Sequence, residues 1–162
     1  MIVLITRGDA ITIPDTAIRF RVVANSNSTD DQTIKLRVKE NLEKDLYSYL
    51  KDVKSINDAK KQLNQNLDNI NKNVENTLLK NNYNDNFNVH LGLNHFPSKE
   101  FKGVVYDEGD YESLVVTLGS GMGDNWWCVL FPPLCLLEAE EENIDEIEYQ
   151  FFVKKLLNKY LK

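Results

Sequence analysis

The chain has 162 residues, with 19 Lys and Arg against 25 Asp and Glu, a formal net charge of −6. That length fits one domain able to bury a real core, and a hydrophobic fraction of 42% with 27% charged residues excludes a disordered or collagen-like chain. The acidic balance argues against nucleic acid as the main partner, because phosphates need a basic face, and no apolar run approaches the ~20 residues of a membrane-spanning helix.

Met1-Ile-Val-Leu-Ile5 is apolar but shorter than the roughly 7–15 residues of a signal-peptide core, and Arg7 follows it where the basic flank should precede it. It reads as the start of an edge strand or as the stump of an export signal or anchor. From Ala17 to Asn25, Ile18, Phe20 and Val22 alternate with Arg19 and Arg21, the pattern of a half-buried strand whose arginines face outward. Asn25-Ser-Asn-Ser-Thr29 ends it. Ser28 or Thr29 then caps a helix, with Asp31 or Gln32 completing a capping box. The spacing of Ile34, Val38, Leu42, Leu46, Tyr49, Leu50 and Val53 predicts one amphipathic helix, and Ser55 opens a second on Ala59, Leu63, Leu67, Ile70, Val74 and Leu78.

Asparagine is abundant from Asn64 to Asn88, which reads as a solvated helix face followed by a turn. Phe87, Val89, Leu91 and Leu93 alternate with Asn88, His90, Gly92 and Asn94 and predict a strand. Phe101–Tyr106 is a further extended piece, Asp107-Glu-Gly-Asp110 a hairpin turn, and Tyr111–Leu118 a strand. Asn125–Phe131 is strand-like until Pro132-Pro133 stops it. Acidic residues from Glu138 to Glu148 precede a lysine-rich stretch, an order that suits the dipole of a helix over part of 144–161, although Glu146–Phe152 could equally begin as a strand. The expectation is an α+β fold in a single domain: an antiparallel sheet covered by two consecutive amphipathic helices, with a C-terminal helix. Residues 1–16 form an N-terminal segment, 17–137 the domain, and 138–162 an acidic-then-basic tail.

Few residues offer chemistry. Gly119-x-Gly-x-Gly123 lacks the Lys-Ser/Thr of a phosphate loop and leads into a strand, so it reads as a turn. Cys128 would need His90 or His95 as its base to act as a nucleophile, and nothing in the sequence brings either ring to the sulfur. No metal-ligand spacing, cofactor motif or catalytic constellation stands out. Cys128 and Cys135 flank a Pro-Pro break that could fold the chain back, so a bridge worth ~2–3 kcal/mol and two buried thiols are equal readings. Trp126, Trp127, Phe131, Pro132 and Pro133 form the densest aromatic and proline cluster. Alternation sends the two tryptophans to opposite faces, so one fills the core and the other reaches the surface unless a helix covers it. A protein-binding hot spot and full packing both fit that arrangement.

Two blocks carry a family resemblance. Ile18-Arg-Phe-Arg-Val-Val-Ala-Asn-Ser26 with Asp31-Gln32 and Lys35 resembles the opening of stage II sporulation protein R. Gly109-Asp-Tyr-Glu-Ser-Leu-Val-Val, Phe96-Pro97, Gly119, Gly121, Gly123 and Asn125-Trp-Trp-Cys-Val-Leu-Phe-Pro-Pro-Leu-Cys135 resemble its later part, so that about residues 17–137 are covered. Asp107-Glu108 stands where the family usually has Pro-Ala, and Met122 and Asp124 lie in a loop that often carries lysine. The resemblance implies a signalling protein secreted from the forespore of an endospore-forming bacterium into the space between the forespore and mother-cell membranes. There it would activate a membrane-embedded aspartic protease of the mother cell, which cleaves pro-sigma-E. It implies a ligand peripheral to the membrane, not an enzyme. The oxidising location favours a Cys128–Cys135 bridge. Candidate partner-binding residues are Trp126, Trp127, Phe131, Pro132 and Pro133, with Arg19 and Arg21 as weaker ones. The alternative is a cysteine-dependent cell-wall hydrolase using Cys128 with His90 or His95.

Overall fold

The alternation of Ile18, Phe20 and Val22 with Arg19 and Arg21 does build a strand, and it lies inside the sheet, between two neighbours. In the computed structural model, which describes residues 11–135 and 145–160, the chain runs β1 (Ile11–Thr12), β2 (Ile18–Val23), α1 (Thr29–Leu50), α2 (Ile56–Gln65), α3 (Leu67–Lys80), β3 (Phe87–Phe96), β4 (Lys99–Phe101), β5 (Val104–Tyr106), β6 (Gly109–Leu118), β7 (Asn125–Phe131) and α4 (Glu146–Tyr160). The apolar start Met1–Ile5 and the acidic stretch 138–144 lie outside the described residues. The architecture is α+β, and the C-terminal segment from Glu146 is helix rather than strand.

The larger sheet has the order β3-β6-β2-β7. β3–β6 and β2–β7 are antiparallel, whereas β2 and β6 are parallel neighbours, so the sheet is mixed. Parallel neighbours need a long crossover, and everything from α1 to β5 supplies it. A smaller sheet, β1-β5-β4, lies apart. The turn expected at Asp107–Asp110 is not a hairpin: there the chain leaves the small sheet at β5 and enters the large one at β6. The hairpin turn sits instead at Lys102–Gly103, between β4 and β5, with φ of 47° and 78°. Positive φ at both central positions matches the twist of the flanking strands. A Cβ on Gly103 would also run into the Gln150 and Glu146 side chains of α4.

Helix α1 starts where its cap dictates, with Ser28 Oγ accepting from the Asp31 N–H at 3.1 Å and two aspartates in the first turn. Its stripe Val38, Leu42, Leu46 and Leu50 is buried. The second predicted helix is two. Asn66 ends α2 and begins α3 at φ −103°, ψ 10°, and its side chain donates back to the Gln62 carbonyl at 2.8 Å. Asparagine competes for local backbone groups in this way, which explains a break the apolar spacing did not show. The stripe survives across it, with Leu63 and Ile70 both buried.

Both faces of the large sheet are covered. Ile18, Phe20, Val22, Leu114, Val116 and Leu118 meet the stripes of α1, α2 and α3 in one core. The opposite face packs Trp127, Val129, Tyr111 and Phe96 against β1, Val104, Tyr106 and the α4 residues Tyr149 and Val153. This second core corrects the expectation for β2: its arginine face does not look into water.

Candidate partner-binding site

The motif blocks that lie some ninety residues apart in sequence meet at one corner, where the β2–α1 turn receives the loop between β6 and β7. The Asp31 carboxylate accepts from Ser26 Oγ at 2.6 Å and Asn25 Nδ2 at 2.9 Å. These bonds, Ser26 first, hold the carboxyl below its ordinary range. Asn25 Oδ1 accepts from the Ser120 N–H at 2.8 Å, and Asn27 Oδ1 from the Asp124 N–H at 2.7 Å. Lys35, buried on α1, donates to the Asp124 carbonyl at 3.2 Å and to Gln32, and its desolvation pushes the ammonium pKa down. At Gly123 a Cβ would collide with the Ser26 backbone, so the loop can close this tightly only without a side chain there. The glycine triplet therefore docks a loop onto a helix start.

That docking fixes where β7 begins. Trp126, half-buried, stands edge-on to Phe20 at 5.6 Å, and Lys39 of α1 lies 4.5 Å from its ring. Helix α1 thus partly covers Trp126, while Trp127 fills the core on the other face of the sheet. Lys39 pairs with Glu43 at 3.5 Å, and burial pushes the Glu43 carboxyl up. One turn further along α1, Leu46, Tyr47 and Leu50 meet Leu130, Pro133 and Cys135 around an apolar dimple of about 30 Å³. Leu36, Tyr47 and, on the docked loop, Met122 are exposed. The accessible part of the aromatic and proline cluster is therefore a seam between α1 and β7, formed by Trp126, Lys39, Tyr47 and Pro133. Phe131 and Pro132 are buried, and Trp127 is buried in the core on the opposite face of the sheet.

Arg19 was expected on an exposed face, and it is fully buried. Its guanidinium carbon lies 3.6 Å from the Tyr111 ring centre, 4.8 Å from Trp127, 5.2 Å from Phe96 and 5.9 Å from Tyr106. None of its three nitrogens has a hydrogen-bond acceptor. Desolvation lowers its pKa. Arg21 is half-buried over Phe96 at 4.2 Å and donates to the His95 carbonyl at 3.0 Å. Lys99 adds a third cation, 4.6 Å from Trp127. Period-two reading cannot distinguish solvent from a second core, and a positive charge seated on four rings has the sequence of an exposed one.

Cys128 and Cys135 are bridged, with Cα atoms 5.2 Å apart, within the range a disulfide spans. The stage II sporulation protein R family matches residues 14–141. Stage II sporulation protein R of Bacillus subtilis (strain 168) is 38% identical over 157 residues, 96% of this chain and 70% of that protein. The chain belongs to the stage II sporulation protein R family. No solved structure matches it.

Membership in the stage II sporulation protein R family makes the chain a sporulation protein of the signalling type. The bridge also removes the premise of the hydrolase alternative, because the Cys128 sulfur is bonded and buried. His90 and His95 lie on β3, with β6 and β2 between them and β7. His95 instead contacts two carboxylates, Glu108 at 3.1 Å and Asp110 at 3.2 Å, on the exposed surface. Among the described residues no group of three His, Cys, Asp or Glu is arranged to hold a metal ion, and no helix is long and apolar enough to cross a membrane. The sequence had shown Asn25–Thr29 as a strand end and Asp31 or Gln32 as part of a helix cap, and Lys35 only through the resemblance; none of these readings showed the docked loop. It gave no sign of Lys39, Glu43 and Tyr47, which share a helix face with no motif.

Proposed function

We propose that the chain is the secreted activator of a sporulation signalling pair. It acts from the space between forespore and mother cell, peripheral to the membrane, on the extracytoplasmic face of a membrane-embedded aspartic protease that cleaves pro-sigma-E. On this reading it is a ligand. It drives the protease by binding its active state more tightly than its inactive one, the only way a ligand shifts such an equilibrium. The observation that carries the reading is the family match across residues 14–141, which includes every motif residue of the docked corner. The bridged, buried Cys128 supports a ligand over a hydrolase.

The contact surface we assign is the α1–β7 seam, with Trp126, Tyr47 and Pro133 accessible, while Phe131 and Pro132 are buried and Trp127 acts only from the core on the opposite face of the sheet. Arg19 and Arg21 support the opposite face of the sheet and act on the seam only through its fold. The test is co-expression of pro-sigma-E and the protease with this chain, exported or not, in a non-sporulating host. Precursor cleavage should appear only with export. A folded, exported chain that leaves the precursor intact would overturn the activator role. Tyr47→Ala, at a side chain 53% exposed, should keep the melting temperature yet reduce cleavage by about tenfold or more, as hot-spot truncations do. Unchanged cleavage would remove the seam from the interface and leave the role standing.

A further inference from the structure

β3 is the outermost strand on one side of the large sheet, and among the described residues no strand pairs with its outer edge. Its ladder to β6 runs unbroken from Phe87 opposite Leu118 to Phe96 opposite Gly109. Such an edge presents a row of unpaired backbone donors and acceptors, which proteins ordinarily blunt with charge, proline, bulges or shortness. β3 has none of these guards: it is 10 residues long, regular, and contains no proline and no Asp, Glu, Lys or Arg. The sheet's other outer strand is closed by comparison, since Cys128 and Val129 of β7 are fully buried.

The surroundings of β3 say what kind of chain it suits. Phe87, Val89 and Leu91 pack partly against the helix-side core, and Leu93 carries the same stripe out to 65% exposure. Beside Leu93 opens a groove of about 600 Å³, whose lining includes Asp15, Asp110 and Glu112 against one cation, Lys60. Glu112 is the register partner of Leu93, so its side chain shares that face. We infer that the outer edge of β3 receives an extended basic segment of another protein, added as a fifth strand, with its Lys or Arg side chains entering the Asp15–Asp110–Glu112 groove. Main-chain pairing supplies affinity and alternate side chains supply specificity in this mode of recognition. A lysine stem covers Leu93 while its head reaches the carboxylates. A second copy of the chain fits worse: β3 offers no Lys or Arg, its His95 already meets Glu108 and Asp110 of its own chain, and two molecules of charge −6 would meet with the same carboxylates. The edge serves such a segment whether or not the protease supplies it.

The experiment is a titration of isotope-labelled protein with a synthetic peptide of alternating Lys and Val, and with its Glu-Val counterpart, followed by amide chemical shifts and amide exchange. The Lys-Val peptide should shift and protect residues 87–96, with the Glu-Val peptide weaker by about tenfold or more. Asn88→Pro and Val89→Pro remove N–H groups that point in opposite directions. One of the two therefore loses only an outward donor and leaves the β6 ladder whole. The variant that keeps the wild-type melting temperature should lose Lys-Val binding by about tenfold or more. If neither proline variant folds, Asp110→Asn with Glu112→Gln tests the groove without touching the backbone and should weaken binding likewise. Shifts that avoid residues 87–96, or binding that survives these substitutions, overturn the assignment. So does a dimer in sedimentation that the folded proline variant dissolves, which would give the edge to a second copy.

Discussion

The two faces of the β2-centred sheet are both buried and are built from different materials. On the helix side, Phe20, Val22, Leu114 and Val116 meet the aliphatic stripes of three helices, and burial itself is the binding force. On the other side Arg19, Arg21 and Lys99 lie on Phe96, Tyr106, Tyr111 and Trp127, so charge is held inside by ring faces without a carboxylate hydrogen-bonded to Arg19. The first face maximises stability. The second gives some of it up for a fixed arrangement of cations and rings, and substitutions on the two faces should therefore move stability in opposite directions.

The largest effect is expected from Phe20→Ala. It leaves a void under three helices and should cost about 3–5 kcal/mol in urea unfolding, enough to threaten a domain of ordinary stability. A loss under about 1 kcal/mol would mean that the helix-side core collapses onto the gap. Arg19→Met should do the reverse. Desolvating an ion costs several kcal/mol, whereas a desolvated cation–ring contact returns about 2 kcal/mol, so an isosteric apolar chain should be neutral or stabilising by about 1–2 kcal/mol. Marked destabilisation of that variant would erase the contrast between the faces.

The smallest effect concerns pH and sharpens the comparison at the rim of the helix face. The folded-state pKa of Asp31 is depressed by Ser26 and Asn25, so its contribution is present above the unfolded carboxylate pKa of about 4 and is lost as pH falls through the lower folded value. Glu43 is raised by burial, so its contribution is fully present below the unfolded value of about 4.3 and lost as pH rises through the folded one. Relative to wild type, Asp31→Asn should lose about 1 kcal/mol or less at neutral pH and nothing in strong acid. Glu43→Gln should shift in the opposite sense. Urea midpoints at three pH values read both.

What the sequence disclosed follows from where single side chains decide. The stripes Val38–Leu42–Leu46 and Ile70–Val74–Leu78 were legible because helical packing repeats and each position votes again. The break at Asn66 and the hairpin at Lys102–Gly103 were not, since each rests on one residue's backbone angles. Arg19 misled because alternation reports that a face differs, not what covers it. At the candidate site the Trp-Trp-Cys run was visible, while its partners Lys39, Glu43 and Tyr47 belong to an ordinary helix surface and become partners only through the docked loop.

The aromatic core is closed from both extremes of the described chain. Residues 11 and 13 enter beside Val104, and α4 arrives last, with Tyr149 edge-on to Phe101 at 5.2 Å and Gln150 donating to the Gly103 carbonyl at 3.3 Å. Tyr106 and its neighbouring rings thus owe part of their cover to residues 145–160, whereas the core between β2, β6 and the helices is built mainly from other elements. Removing residues 145–160 should therefore open the aromatic core while leaving the helix-side core covered, a difference that near-ultraviolet circular dichroism against far-ultraviolet would read.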